Sequence, residues 1–374
     1  MKVRSLLFST LCVLAMSAAL TACSSDNDQD DWSNDEGSKV ELPANRAFIL
    51  NQGKNGGNNA GLAFYAPDKN AANSKDNFIT NIYKLQNGQE LGDVGQDIIK
   101  YNGHIYITMY GSKLLIKLNE AGVEQQRISF TETDGAPRYM AVDNGKIYVT
   151  LYSGKVARID ANTLAIEGYV AVGKNPEEII EEGNKLYVAN SGWGSGTTVS
   201  VIDMATFKKE KDIEVTVNPN LLLEANDEIY LISFGNWGDI PQTFQRVITD
   251  PKTGEKGYEV IADASLFAER NDLIYLIDSK TNWTTKETIN TFFTYNAKNH
   301  TLNKKTFLQN MPEELGRKSL MGISIDDENG DIYVTTSDFT SNGDAYRFSA
   351  NGTFIEKFDC GGINPVKMIF LNNK

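Results

Sequence analysis

RYMAVDNGKIYVT, residues 138–150, reads as two short apolar strands hinged on Asn144-Gly145. Asn-Gly is a pair that accepts positive φ at both turn positions, which a tight antiparallel hairpin requires. Tyr, Val, Ile and Thr on either side favour a pleated, half-buried surface. The same unit returns as DIIKYNGHIYIT at 97–108, EEIIEEGNKLYVA at 177–189 and NLLLEANDEIYLI at 220–232. It returns again as SLFAERNDLIYLI at 265–277 and MGISIDDENGDIYVT at 321–335. The turns carry Asn184, Asn226-Asp227, Asn271-Asp272 and Asn329-Gly330.

Each unit carries one aromatic anchor in its second strand: Tyr106, Tyr148, Tyr187, Tyr230, Tyr275 and Tyr333. A seventh anchor, Phe48 in RAFILN, has no first strand ahead of it. The missing strand is NPVKMIFL at 364–371, which resembles APRYMAV at 136–142 but stops before any partner. The anchors lie 58, 42, 39, 43, 45 and 58 residues apart. Periods near 40 to 45 with about four strands each predict an all-β, seven-bladed propeller. Pairing the C-terminal strand with the N-terminal ones closes the ring and leaves no open sheet edge.

In such a ring the loop after each second strand shares a face with the segment that opens each blade. Six blades place an aromatic in that loop: Tyr110, Tyr152, Trp193, Trp237, Trp283 and Phe339. The first blade offers Asn51 and Lys54 in NQGKNGGNN. The blade-opening segments GAPRYM, GKNPEE, TVNPNL and GINPVK add Arg138, Tyr139, Asn175, Glu177, Asn220 and Asn364. Aromatic planes beside amides suit a neutral, amide- or hydroxyl-rich ligand, since both its faces and its edges can be matched. The alternative is packing: burying a Trp removes about 150–250 Å² from water, so rings that wedge between blades are well stabilised. Glycine on both sides of Trp193 argues against a fixed wedge. Asn-Pro pairs also serve as plain turn chemistry.

The first 43 residues read differently. A basic start, Lys2 and Arg4, precedes the apolar run LLFSTLCVLAMSAAL and then small residues, the pattern of a secretory signal over residues 1–22. LTAC, ending at Cys23, resembles the lipobox of bacterial lipoproteins and implies lipidation of Cys23. Residues 23–43, with SSDNDQDDWSNDEGSK, are expected to form an acidic tether, leaving 44–374 as one propeller. The formal charge is −13, or −15 without Lys2 and Arg4, which disfavours nucleic acid as a partner. Cys360 is the one cysteine left, so neither an internal disulfide nor a Cys-based metal site is available.

The stretch NGKIYVT…GKVARIDANTLAIEGYVAVGKNPEEI, residues 144–179, resembles the YncE-type propeller. There, each blade carries a YV-x-N/T strand, an x-ID strand and a V-x-VG-x-x-P exit. The likeness is clearest over 97–215 and degraded over 220–320. With LTAC and the acidic stretch, the chain resembles Gram-negative surface lipoproteins of that family. One branch, BtuG, captures vitamin B12 for an outer-membrane transporter. The resemblance implies an outer-membrane, lipid-anchored protein that binds a corrinoid and hands it to a TonB-dependent transporter. A glycan-binding propeller that stacks sugars on Trp, and a protein-interaction scaffold, are the other readings.

No catalytic motif emerges. There are two histidines, His104 in a strand and His300 in a polar hairpin, and neither GxSxG nor HExxH occurs. DDENGD misses calcium-loop spacing. Glu177, Glu178, Glu181 and Glu182 in PEEIIEE read as solvated strand ends more readily than as a paired-carboxylate hydrolase. The expectation is a binding protein without a cofactor or metal, not an enzyme.

Overall fold

The computed structural model describes residues 34–68, 77–249, 254–282 and 284–372. The signal segment, Cys23 and Trp283 lie outside the described residues. Seven four-stranded antiparallel sheets form a ring. Blade 1 is built from Pro365–Asn372, Asn45–Asn51, Gly61–Tyr65 and Phe78–Ile79, in that order from the centre. Blades 2 to 7 open with the inner strands Gly95–Tyr101, Pro137–Asp143, Pro176–Glu182, Pro219–Ala225, Leu266–Arg270 and Leu320–Ile325. Each inner strand packs against those of both neighbouring blades, so the ring is closed. Closure runs as expected: Phe48 pairs with Ile369 and Ile49 with Met368.

The core is divided into seven layers, each shared by two adjacent blades, such as Tyr106 and Leu115 against Ile147 and Ala157. A fully buried side chain of this size stabilises by about 1.5–3 kcal/mol. Stability is therefore spread around the circle. The hairpin turns take the backbone their residues suggested, with Asn144 at φ 46° and Gly145 at φ 75°.

Residues 34–43, assigned by composition to the tether, are docked instead. Fully buried Arg46 donates to the Asp35 carboxylate (2.7 and 3.1 Å) and to the carbonyls of Pro43 and Glu120. Lys39 N–H donates to Gln86 Oε1, and Leu42 joins the layer between blades 1 and 2. An arginine taken out of water must be paired, and this strip supplies its carboxylate and the carbonyls of Pro43 and Leu42. Composition reports the strip's polarity but not this one buried partner. The strip lies on the face of the hairpin turns, opposite the face where the blades open.

Candidate functional site

A repeated hydrogen bond ties each loop after the second strand to its blade's opening: Tyr110 N–H to Val94 O, Tyr152 to Ala136, Ser191 to Asn175, Phe234 to Asn218 and Ser337 to Ser319. Just inside that face, six of the inner strands are irregular, with a register shift one or two residues in from the start. A bulge breaks strict alternation, so two consecutive side chains can reach the central channel. The first tier runs Gln96, Arg138, Glu177, Asn220, Ser265, Met321, Val366 around blades 2 to 7 and back to 1. The second runs Asp97, Tyr139, Glu178, Leu221, Leu266, Gly322, Lys367. Both tiers are polar through blades 2 to 4 and small or apolar through most of blades 5 to 7. Lys367 extends the polar arc into blade 1.

Arg138 and Glu177 form the densest polar contact. Glu177, 3% exposed, accepts from Arg138 Nε at 2.7 Å and Nη2 at 2.5 Å, from Tyr152 Oη at 2.5 Å and from Ser191 Oγ at 3.3 Å. Arg138 also donates to Gln96 Oε1 and lies 4.8 to 5.7 Å from the ring centres of Tyr110, Tyr139 and Tyr152. Burial opposes the guanidinium's charge, yet Glu177 beside it holds its pKa above the ordinary value. Burial, reinforced by Glu177, pushes the Tyr152 phenol up.

The second tier holds another ion pair. Lys367 Nζ meets Asp97 Oδ1 at 2.7 Å, and Asp97 Oδ2 accepts the Met140 N–H of the next blade. Burial works against charge on Lys367, but Asp97 and Glu178 outweigh it and raise its pKa. Glu178 accepts the Leu222 N–H at 3.0 Å across the blade boundary. Burial pushes its pKa up to about 7, although Lys367 pulls the other way. These two glutamates are therefore channel-wall groups, which corrects the solvated reading of PEEIIEE at its first half. Glu181 and Glu182 are at the strand's far end and half-buried.

The channel widens into a cavity of about 1060 Å³ bordered by Tyr139 and Glu178 and, around the rest of its wall, by Leu221, Phe267 and Met321. Its rim includes Trp237 to Gln242 of blade 5 and, from blade 6, Asp278 to Thr281. The blade 6 residues belong to a hairpin whose strands, Leu273–Asn282 and Glu287–Asn296, are ten residues each.

Around the polar side of the mouth the aromatic residues make an arc. Tyr110 meets Tyr152 edge-on at 5.5 Å, and Tyr152 meets Trp193 edge-on at 6.0 Å. Trp237 then lies against Gly194, where a Cβ would collide with ring atoms Cζ3 and Cη2. Gly194 also has φ +87°, so this contact and this backbone both demand glycine. Trp193 and Trp237 remain 69% and 74% exposed, and Phe339, across the ring, 57%. All three have positive φ, between 54° and 64°, which is uncommon for bulky residues. Ser191 Oγ and Ser337 Oγ accept the N–H of Trp193 and Phe339.

Several proposed ligand residues are placed elsewhere. Asn51 is 0% exposed and donates to Cys360 O, and Asn364 is buried, donating to Gly53 O and accepting from Ser337 Oγ. Both are turn and closure chemistry, as the Asn364-Pro365 pair suggests for the second. Asn175 holds a left-handed backbone at φ 45°, and its carbonyl accepts from Ser191. Asn220 lines the cavity but is bonded to Asn218. Lys54 is exposed on the blade 1 loop. The sequence reading missed Gln96, Asp97, Lys367 and the cavity role of Glu178; aligning the repeats column by column would have found them.

The fold has relatives. Residues 45–371 match the family described as Domain of unknown function (DUF5074). The chain belongs to that family. Among solved structures, the DUF5074 propeller is similar to hydrazine synthase of Kuenenia stuttgartiensis, at 16% identity and TM-score 0.54, over 67% of this chain and 74% of that one. It is also similar to two structures of AztD from Citrobacter koseri, one of them apo. These share 11% and 10% identity, with TM-scores 0.50 and 0.54, over 88% and 89% of this chain and 98% and 100% of theirs. At such identities the likeness is one of fold. Among curated proteins, none matches this chain.

Proposed function

We propose that this DUF5074 propeller captures a small ligand at the aromatic mouth of its channel. One observation carries the reading: Trp193 and Trp237 stay mostly in water on positive-φ backbone, where neither burial nor backbone preference favours them. Trp237 borders the cavity and Trp193 stands beside it across Gly194, and exposed aromatics so placed are what a ligand would cover. A corrinoid is the first ligand to test, since the YncE-type repeats and LTAC resemble a branch with that cargo. On this reading Cys23 is lipidated, the protein stands on the outer membrane, and a TonB-dependent transporter receives the ligand. The docked strip at 34–43 favours it, because a tether arriving at the hairpin-turn face leaves the mouth pointing away from the anchored side.

The test is a visible spectrum after incubation with cyanocobalamin and desalting. Retained absorbance at micromolar protein, lost in the Trp193→Ala, Trp237→Ala double variant, is the expected result. No retained absorbance removes the corrinoid. A second reading, glycan binding, draws on the pair of neighbouring indoles joined across two blades through Gly194. Polysaccharide pull-down that depends on the same two residues would favour it, and an unchanged pull-down would exclude it.

A further inference from the structure

Below the mouth, the channel has a chemistry that the aromatic arc does not use. Its polar arc holds three carboxylates, Asp97, Glu177 and Glu178, against two cations, Lys367 and Arg138. The cations are committed: Lys367 to Asp97 and Arg138 to Glu177. Glu178 accepts the Leu222 N–H and borders the cavity with the rest of its carboxylate. Leu221, beside Glu178, continues into a wall of Leu266, Phe267 and Met321. The geometry points to a second binding site, distinct from the mouth, in which an organic ammonium pairs with Glu178 and lays an apolar body against the blade 5 to 7 wall.

An ammonium fits better than a metal ion. Among the described residues, the one group of three carboxylates close enough to hold a metal is Glu182, Glu224 and Asp227, which does not include Glu178. A primary ammonium needs a single counter-charge and carries three donors, which Glu178 can begin to satisfy. Apolar contact with that wall adds affinity in proportion to the area covered. The charged and titratable groups facing Glu178 are Lys367 of blade 1, Asp97 of blade 2, Arg138 and Tyr139 of blade 3, and Glu177 of its own strand. Blade 5 presents Leu222 and Asn220, and the further ionisable groups around the cavity are Lys100 of blade 2, bonded to Asp327 and to Phe370 O, and Glu269, Asp278, Lys280 and Asp327 of blades 6 and 7. Of these, Lys280 is paired with Asp263 and Asp278.

The experiment is calorimetric titration of the whole folded protein with 2-phenylethylammonium chloride, 2-phenylethanol and 3-phenylpropanoate. The ammonium should bind at least tenfold more tightly than either isostere. Its affinity should rise about tenfold between pH 6 and pH 8, as the fraction of ionised Glu178 grows. Glu178→Gln keeps an oxygen for the Leu222 N–H, so the protein should stay folded while the preference and the pH dependence vanish. Trp193→Ala, which leaves the cavity lining intact, should keep both, which separates this site from the mouth. Equal binding of the three compounds, no binding at millimolar concentration, or a preference that survives Glu178→Gln overturns the inference. So does a preference lost with Trp193→Ala, since cation–π contact at the mouth would then be its source.

Discussion

Blades 2 to 4 and blades 5 to 7 share one hairpin frame and differ where it meets the channel. In blades 2 to 4 the tier residues are Gln96, Asp97, Arg138, Tyr139, Glu177 and Glu178, bound to one another and to the loop residues Tyr152 and Ser191. In blades 5 to 7 the same positions hold Leu221, Leu266, Met321 and Gly322, with Asn220 and Ser265 the two polar exceptions, and every residue of the blade 6 inner strand is half-buried, none fully. The ring tolerates both because its stability comes from the layers between blades, behind the channel. Chemistry is free to vary at the bulge because the fold places few demands there.

The sharpest way to break this comparison is Arg138→Met. It strands Glu177, which is almost wholly buried, and should cost about 3–5 kcal/mol, read as a lower urea midpoint. Arg138→Met combined with Glu177→Leu should recover much of that loss. A single variant as stable as the parent would mean that the polar arc contributes no more than the apolar one. Next in size is packing. Ile147→Ala, in the layer between blades 2 and 3, should cost about 2–5 kcal/mol, whereas half-buried Leu266→Ala should cost about half as much or less. Equal costs would show the two arcs to be packed alike.

A pH effect of about 3 kcal/mol should follow from Glu178 alone. Its folded pKa of about 7 lies above the ordinary 4.5, so between these values the native state holds a proton that the unfolded chain has released. Stability contributed by this group is complete below pH 4.5, falls as pH rises towards 7, and levels off beyond. Burial raises Glu269 and Glu182 in the same direction, so the measurement is the difference between parent and Glu178→Gln unfolding curves. Identical slopes in the two proteins would sink the assignment.

Most of this ring was legible in the sequence, because a propeller repeats its turn and anchor residues and repetition survives drift in any one copy. Phe48, orphaned of a first strand, even told where the chain closes on itself. The site was legible in part. Its loop aromatics stood out, since Trp beside glycine is conspicuous in any reading. Glu178 did not, because strict alternation sends one of two neighbouring residues away from the channel and the bulge at Pro176 cancels that rule. Asn51 misled for the opposite reason: at a strand end facing a glycine-rich loop it resembles a ligand residue, and only the three-dimensional approach of Cys360 reveals its partner. Residues 34–43 misled because one buried arginine, Arg46, outweighs an acidic composition.

The smallest expected effect discriminates best between binding and packing. Trp193 has φ 54° and is mostly exposed, so Trp193→Gly removes little buried surface and relieves a backbone that side chains disfavour. Relief of a left-handed backbone is worth about 1 kcal/mol and the loss of edge-on contact with Tyr152 about the same, so the net change should lie within about 1 kcal/mol of zero. A wedge between blades would behave otherwise: its deletion would cost about 3–5 kcal/mol, as buried Trp truncations do. Thermal midpoints of Trp193→Gly and Trp237→Gly therefore read the purpose of the arc without any ligand. Unchanged midpoints leave the indoles with no structural task and assign them to whatever the mouth receives, while a large fall in either would return that ring to the core.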